Sequence, residues 1–179
     1  MVCNRCISSV QQIFDDLKIE ISTIELGEIE TENALNKNEL HTLNIQLNSK
    51  GFQILEDAAE KQIEEIKKLI ILKINELDIA DDFILSKFIS SKLAKDYSLV
   101  SKSFSLNENV TLEQYFILQK IEKAKELLLY NEFSLTEISH KLGYKSVQYL
   151  STQFKNTTGF NPTSFKNLKL KKRIAIDQV

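Results

Sequence analysis

Two groups of side chains in this sequence have the types and spacing to do chemistry. Cys3 and Cys6, the only cysteines in the chain, stand three residues apart. Far downstream, Gln148, Tyr149, Thr152 and Lys155 fall on one side of a helical register that starts at Ser146. Two thiolates with no further ligand suit a soft, low-coordinate ion such as Cu(I), or a redox pair in a reducing cytosol. They do not complete a four-ligand zinc site, because His41 and His140 lack the matching spacing. The second group suits duplex DNA. A glutamine amide pairs with adenine, Thr and Tyr reach thymine methyls, and a lysine meets phosphate.

The elements that would hold the second group can be read from local signals. Ser134 is an N-cap and Glu137, three residues on, completes a capping box. Leu135, Ile138 and Leu142 form an apolar stripe, Gly143 stops the helix, and Ser146 caps a new one with Leu150 and Phe154 on its buried face. Helix, glycine turn and second helix make a helix-turn-helix. The unit occurs twice. Ser98–Phe104 resembles Gln148–Phe154 at a shift of 50 residues, with Val100 meeting Leu150, Ser101 meeting Ser151, Phe104 meeting Phe154 and Tyr115 meeting Phe165. Ile89 and Leu93 match Ile138 and Leu142 at a shift of 49. A repeat of this period is one supersecondary unit used twice.

Between the copies, Leu112–Tyr130 has helical spacing, and Lys120, Glu122, Lys123, Lys125 and Glu126 read as solvated i,i+3 and i,i+4 partners. A long amphipathic helix is expected over Ala58–Leu77. Upstream the character is mixed. Val10, Ile13, Phe14 and Leu17 give a helix over Ser8–Leu17, and two strands follow around a turn at Leu26-Gly27-Glu28, the first alternation slipping once near Ile24. Leu40, Leu43, Ile45 and Leu47 mark a helix over Asn38–Ser49, and Phe52–Leu55 a last short strand. The fold class expected is α+β: an α-β-β-α-β module over 1–57, a connecting helix over 58–77, and an all-α unit over 78–172.

Charge divides the chain in the same place. Residues 1–60 hold four Lys/Arg against 11 Asp/Glu, whereas residues 61–179 hold 19 against 14. Ser134–Arg173 carries eight Lys/Arg and the single acid Glu137, so the tail alone is suited to a polyanion. No apolar run approaches a membrane span, and the N-terminus has no apolar signal core, so a cytoplasmic protein without membrane contact is expected. There is no Gly-rich phosphate loop, nucleophile elbow or His-rich metal motif, and no enzyme is expected.

Leu142–Lys166 resembles the signature of the AraC/XylS family of bacterial transcription regulators, and Gln119–Leu128 resembles that family's linker helix. The resemblance covers roughly Ile63 to Leu168. It implies two helix-turn-helix subdomains that insert recognition helices into successive major grooves of double-stranded DNA, with RNA polymerase and a second copy of the chain as further partners. By position the first recognition helix is Tyr97–Ser105, with Ser98, Ser101 and Lys102 outward, and the second presents Ser146, Gln148, Tyr149, Thr152 and Lys155. The first copy departs from the pattern. No glycine occupies its turn (Ala94-Lys95-Asp96-Tyr97), and Asp96 and Glu108 flank it.

Met1-Val2-Cys3-Asn4-Arg5-Cys6, followed by α-β-β-α-β and Gly51-Phe52, resembles the heavy-metal-associated domain, a small ferredoxin-like fold. That resemblance implies a soft metal ion at Cys3 and Cys6. The family places a strand before the motif, central to its sheet, and the sheet here is expected to lack that first strand or borrow it. The combined expectation is a DNA-binding regulator in which ligand binding at Cys3 and Cys6 alters the packing of the 58–77 helix and shifts DNA affinity. The competing expectation is a metallochaperone-like carrier whose helical part is an interaction platform.

Overall fold

In the computed structural model the described residues are 4–55 and 57–167. The chain divides into two compact units, and the division falls between Lys68 and Leu69.

The first unit opens with α1 (Asn4–Asp16), whose Val10, Ile13 and Phe14 lie on one stripe and are buried. Lys18, in the left-handed conformation, ends it, and the Ile19 amide donates back to the Phe14 carbonyl at 2.9 Å. β1 (Ile21–Glu25) and β2 (Glu28–Thr31) then form an antiparallel hairpin with Ile24 opposite Ile29, turning at Gly27 with φ +88°. The slip in the alternation is real: a register shift between Ile21 and Thr23 lets Ile21 and Ile24, three residues apart, both pack on the core.

α2 (Lys37–Ser49) starts at a capping box, in which Asn36 Oδ1 accepts from the Glu39 amide and Glu39 Oε2 accepts from the Asn36 amide. It buries Leu43 and Leu47 against α1, while Leu40 and Ile45, expected on the same face, are exposed. One expected element is absent. Phe52–Leu55 is not a strand, and among the described residues the sheet has two strands only. Phe52 and Ile54 instead turn their side chains onto the Val10–Leu47 core, and the Phe52 amide donates to the Leu47 carbonyl. A last strand in a ferredoxin-like sheet needs a central strand beside it, and none is present among these residues. The unit is an α-β-β-α arrangement in a mostly helical chain.

α3 (Ala58–Asn75) carries Ile63, Ile66, Ile70, Ile71 and Ile74 as a buried stripe and stops at Leu77, which takes φ +54°. The second unit continues through α4 (Leu85–Leu93), α5 (Tyr97–Glu108), α6 (Leu112–Tyr130), α7 (Leu135–Lys141), α8 (Val147–Thr158) and α9 (Pro162–Asn167). The repeat is reproduced in detail. α5 and α8 are both 12 residues long and offset by 50, with N-caps at Asp96 and Ser146 and left-handed C-caps at Asn109 and Gly159. Phe104 meets Tyr115 at 5.4 Å between ring centroids, and Phe154 meets Phe165 at the same 5.4 Å.

α6 touches α5, α7, α8 and α9. That environment corrects one expectation. Lys120, Glu122 and Lys125 are buried together with Gln119, not solvated, because the helix packs against four others. Lys125 pairs with Glu122 inside the unit, and Lys123 pairs with Glu126 at 2.9 Å in a half-buried position. No helix among the described residues is long and apolar enough to cross a membrane.

A short backbone link ties the two copies together. The Ile79 amide, ahead of α4, donates to the Lys141 carbonyl at the end of α7 (3.1 Å), and Ile79 bridges Leu142 in parallel. Gly143, at φ +66°, sits directly under this crossing, where a Cβ would lie 2.5 Å from Ile79 Cγ2 and 2.8 Å from the Ala80 carbonyl oxygen. Conformation and space both demand glycine. Ala94, at the matching turn of the first copy, adopts φ +50° without that residue's freedom. In urea unfolding, Gly143→Ala is expected to destabilise the chain by about 2 kcal/mol or more, and Ala94→Gly to stabilise it by about 0.5–1 kcal/mol.

Candidate nucleic-acid interface

α8 is held by its inner face and displays its outer one. Leu150 and Phe154 are fully buried, while Gln148, Tyr149, Thr152 and Lys155 are exposed on the opposite side. Ser146 Oγ accepts from the Tyr149 amide at 3.1 Å, fixing the first turn, and its own hydroxyl proton remains available. Gln148 and Thr152 have no side-chain partner among the described residues, so their polar atoms face solvent ready to pair. No carboxylate lies on this helix. Glu137, the one acid in the sequence from Ser134 to Asn167, is committed to Ser134, whose amide and hydroxyl donate to it at 2.7 Å and hold its carboxyl below the usual range.

The turn before α8 is anchored from α6. Tyr144 is buried, its hydroxyl donates to Gln153 Oε1 at 2.6 Å, and its ring meets Tyr149 edge-on at 5.8 Å. Behind it, Lys120 Nζ lies 3.9 Å from the centroid of the Tyr144 ring and 5.0 Å from that of Phe116. Burial pushes the Lys120 ammonium down to about 8, and burial likewise raises the Tyr144 hydroxyl, with Tyr149 adding to it. This lysine therefore packs beneath the turn that leads into α8.

α5 is built on the same frame with different chemistry. Asp96 caps it by accepting from the Ser98 amide at 2.8 Å, and the Ser98 hydroxyl donates to the same carboxylate. Those bonds hold the Asp96 carboxyl below its usual range. Tyr97 donates to Glu113 Oε1 at 2.5 Å, which lowers the Glu113 carboxyl, and the Ser101 hydroxyl, half-buried, meets Tyr97 in turn. Of the three residues expected to face outward, only Lys102 is exposed and uncommitted, because Ser98 and Ser101 are spent on local bonds. Sequence reasoning passed over Leu99, which is 70% exposed. The signal that could have found it is the repeat itself, since Leu99 stands 50 residues before Tyr149.

Residues 89–167 match the helix-turn-helix domain family. A 69-residue stretch is 36% identical to an uncharacterized HTH-type transcriptional regulator in the cgkA 5′ region of Pseudoalteromonas carrageenovora, covering 38% of this chain and 40% of that protein. A 78-residue stretch is 28% identical to the Msm operon regulatory protein of Streptococcus mutans, covering 44% and 28%. The chain thus spans less than half the length of these relatives. Among solved structures, the C-terminal domain of AraT, a response regulator from Geobacillus stearothermophilus, matches with a TM-score of 0.50 at 21% identity, over 68% of this chain and 90% of that one. That likeness concerns the fold.

In the first unit, Cys6 is half-buried in the first turn of α1, and Cys3 lies outside the described residues. No group of three or more His, Cys, Asp or Glu that could hold a metal ion occurs among the described residues.

Lys120 in the helix-turn-helix domain gives a pH signature. The unfolded lysine keeps its proton up to about 10.5, whereas the folded one releases it at about 8. Between those values the unfolded state binds more protons, so stability rises with pH there, and the burial penalty is present in full below pH 8. Urea unfolding of the protein and of Lys120→Met, from pH 7 to 10, is expected to show the difference between them shifting in favour of the native lysine above pH 8.

Proposed function

We propose that this chain is a sequence-specific DNA-binding transcription regulator of the AraC/XylS type. The unit over 78–172 meets double-stranded DNA, and 58–77 connects it to the module over 1–57. The observation that carries the reading is the outer face of α8: an amide, a phenol, a hydroxyl and an ammonium without hydrogen-bond partners among the described residues, on an acid-free helix that is the second of a helix-turn-helix. Gln148, Tyr149 and Thr152 read bases, Ser146 and Lys155 hold the phosphate backbone, and Lys102 does the same from α5. RNA polymerase and a second copy of the chain are the further partners this reading implies.

The test is equilibrium binding of the full chain to a duplex selected from a random-sequence pool, titrated with salt. Affinity is expected to fall linearly on a log–log plot against salt. Gln148→Ala is expected to cost roughly 1–3 kcal/mol on the selected duplex and little on a scrambled one. Lys155→Ala weakens both alike and lowers the salt slope by about one. Binding without sequence preference would overturn the reading and favour the metal-carrier alternative.

A finer reading assigns the N-terminal unit a response to a soft metal ion or a redox signal through Cys3 and Cys6. It is supported by the place of Cys6 in the first turn of α1 and by the two-residue spacer that separates it from Cys3 in the sequence. Two thiolates by themselves suit a soft, low-coordinate ion such as Cu(I). Such a response requires that the ligand favour one DNA-binding state over the other. DNA affinity is expected to change on adding Cu(I) to the protein and to stay unchanged in Cys6→Ser. Equal affinity with and without the ion in both proteins overturns it.

A further inference from the structure

The two recognition helices share one frame but offer DNA different chemistry. At the shift of 50 residues Ser98 corresponds to Gln148, Leu99 to Tyr149 and Lys102 to Thr152. In α8 the first two of these positions carry an unpaired amide and a phenol. In α5 the serine is folded back onto Asp96, and Ser101, one turn on, meets Tyr97. The side chains left pointing outward in the first two turns of α5 are therefore Leu99 and Lys102. Leu99 is 70% exposed and, unlike Tyr149 at the matching position of α8, carries no hydroxyl. It has no capacity to hydrogen-bond a base edge. The one apolar group that a base pair presents in the major groove is the C5-methyl of thymine.

We propose that Leu99 is a specificity-determining residue that reads a thymine methyl in the part of the DNA site met by α5. The inference rests on the DNA-binding reading above and sharpens it. α8 reads by hydrogen bonding through Gln148, whereas α5 reads by apolar contact through Leu99 while Lys102 holds a neighbouring phosphate. The N-terminal part of a recognition helix is the part that reaches base edges, and Leu99 is the third residue of α5.

The experiment uses the full chain and a duplex that it has selected from a random-sequence pool. Each thymine is replaced singly by deoxyuridine, which removes the C5-methyl and leaves the pairing edge unchanged. At one thymine the affinity of the native protein is expected to fall roughly threefold to tenfold. Leu99→Ala is expected to show that loss already on the thymine duplex, with no further loss on the deoxyuridine duplex. Leu99→Met, which keeps an apolar tip, retains the dependence, and Gln148→Ala retains it at the same thymine. Because Leu99 is exposed, Leu99→Ala keeps the native unfolding midpoint, which a parallel urea titration checks. If Leu99→Ala binds as the native protein does, or if no thymine loses its methyl dependence in that variant, the inference is overturned while the DNA-binding reading stands. If the pool yields no preferred duplex, both fall together.

Discussion

A helix packed over most of its surface cannot sort all its polar residues towards water, and the middle of α6 is such a helix. It has α5 against it on one side and α7, α8 and α9 on others, so its lysines and glutamates are drawn into the interior with its leucines. Charges in that setting persist only if paired or placed over rings. Lys125 takes Glu122, and Lys120 takes the faces of Tyr144 and Phe116. The solution is incomplete: Gln119 Nε2 and Glu122 Oε2 find no partner within the described residues. The recognition helix α8 inherits its placement from this interior, through Lys120, Tyr144 and Gln153 in turn.

How much could be read beforehand followed from the range of the interaction. Signals confined to four or five residues came through: the capping box of Ser134 and Glu137, the Ser146 cap, the turn at Gly143, the extent of α6, and the slip in β1 that proved to be a bulge. Each is a local hydrogen bond or a backbone conformation with one favoured residue type. Features set by packing did not come through. The spacing of charges along α6 is the same whether the helix is solvated or enclosed, and Leu40 and Ile45 look as helical as Leu43 and Leu47. Phe52–Leu55 has strand-like residues but no neighbour to pair with, so its apolar side chains went to the core instead. The commitment of Ser98 to Asp96 was hidden for another reason: a serine after an N-cap aspartate is as easily outward as folded back.

The two copies therefore share geometry more than chemistry. Their aromatic pairs, cap positions and helix lengths coincide, and those are the features that packing requires. Their outer faces differ, and packing places no requirement on them. Asp96 in place of Ser146 provides the same cap while adding a negative charge, which the hydrogen bonds from Ser98 stabilise.

The bridge between Ile79 and Leu142 has a consequence for how such a repeat can change over time. It joins the chain ahead of the first copy to the turn of the second, closing the pair into a loop, and among the described residues no matching bridge closes the other way. Backbone crosses the turn at Gly143 and leaves no room there for a side chain, whereas Ala94 at the matching turn is exposed. That turn could drift to alanine at the modest expense of a strained φ. A duplicated unit held by a one-way clasp loses its symmetry first at the turn that nothing crosses, and the missing glycine of the first copy marks that turn.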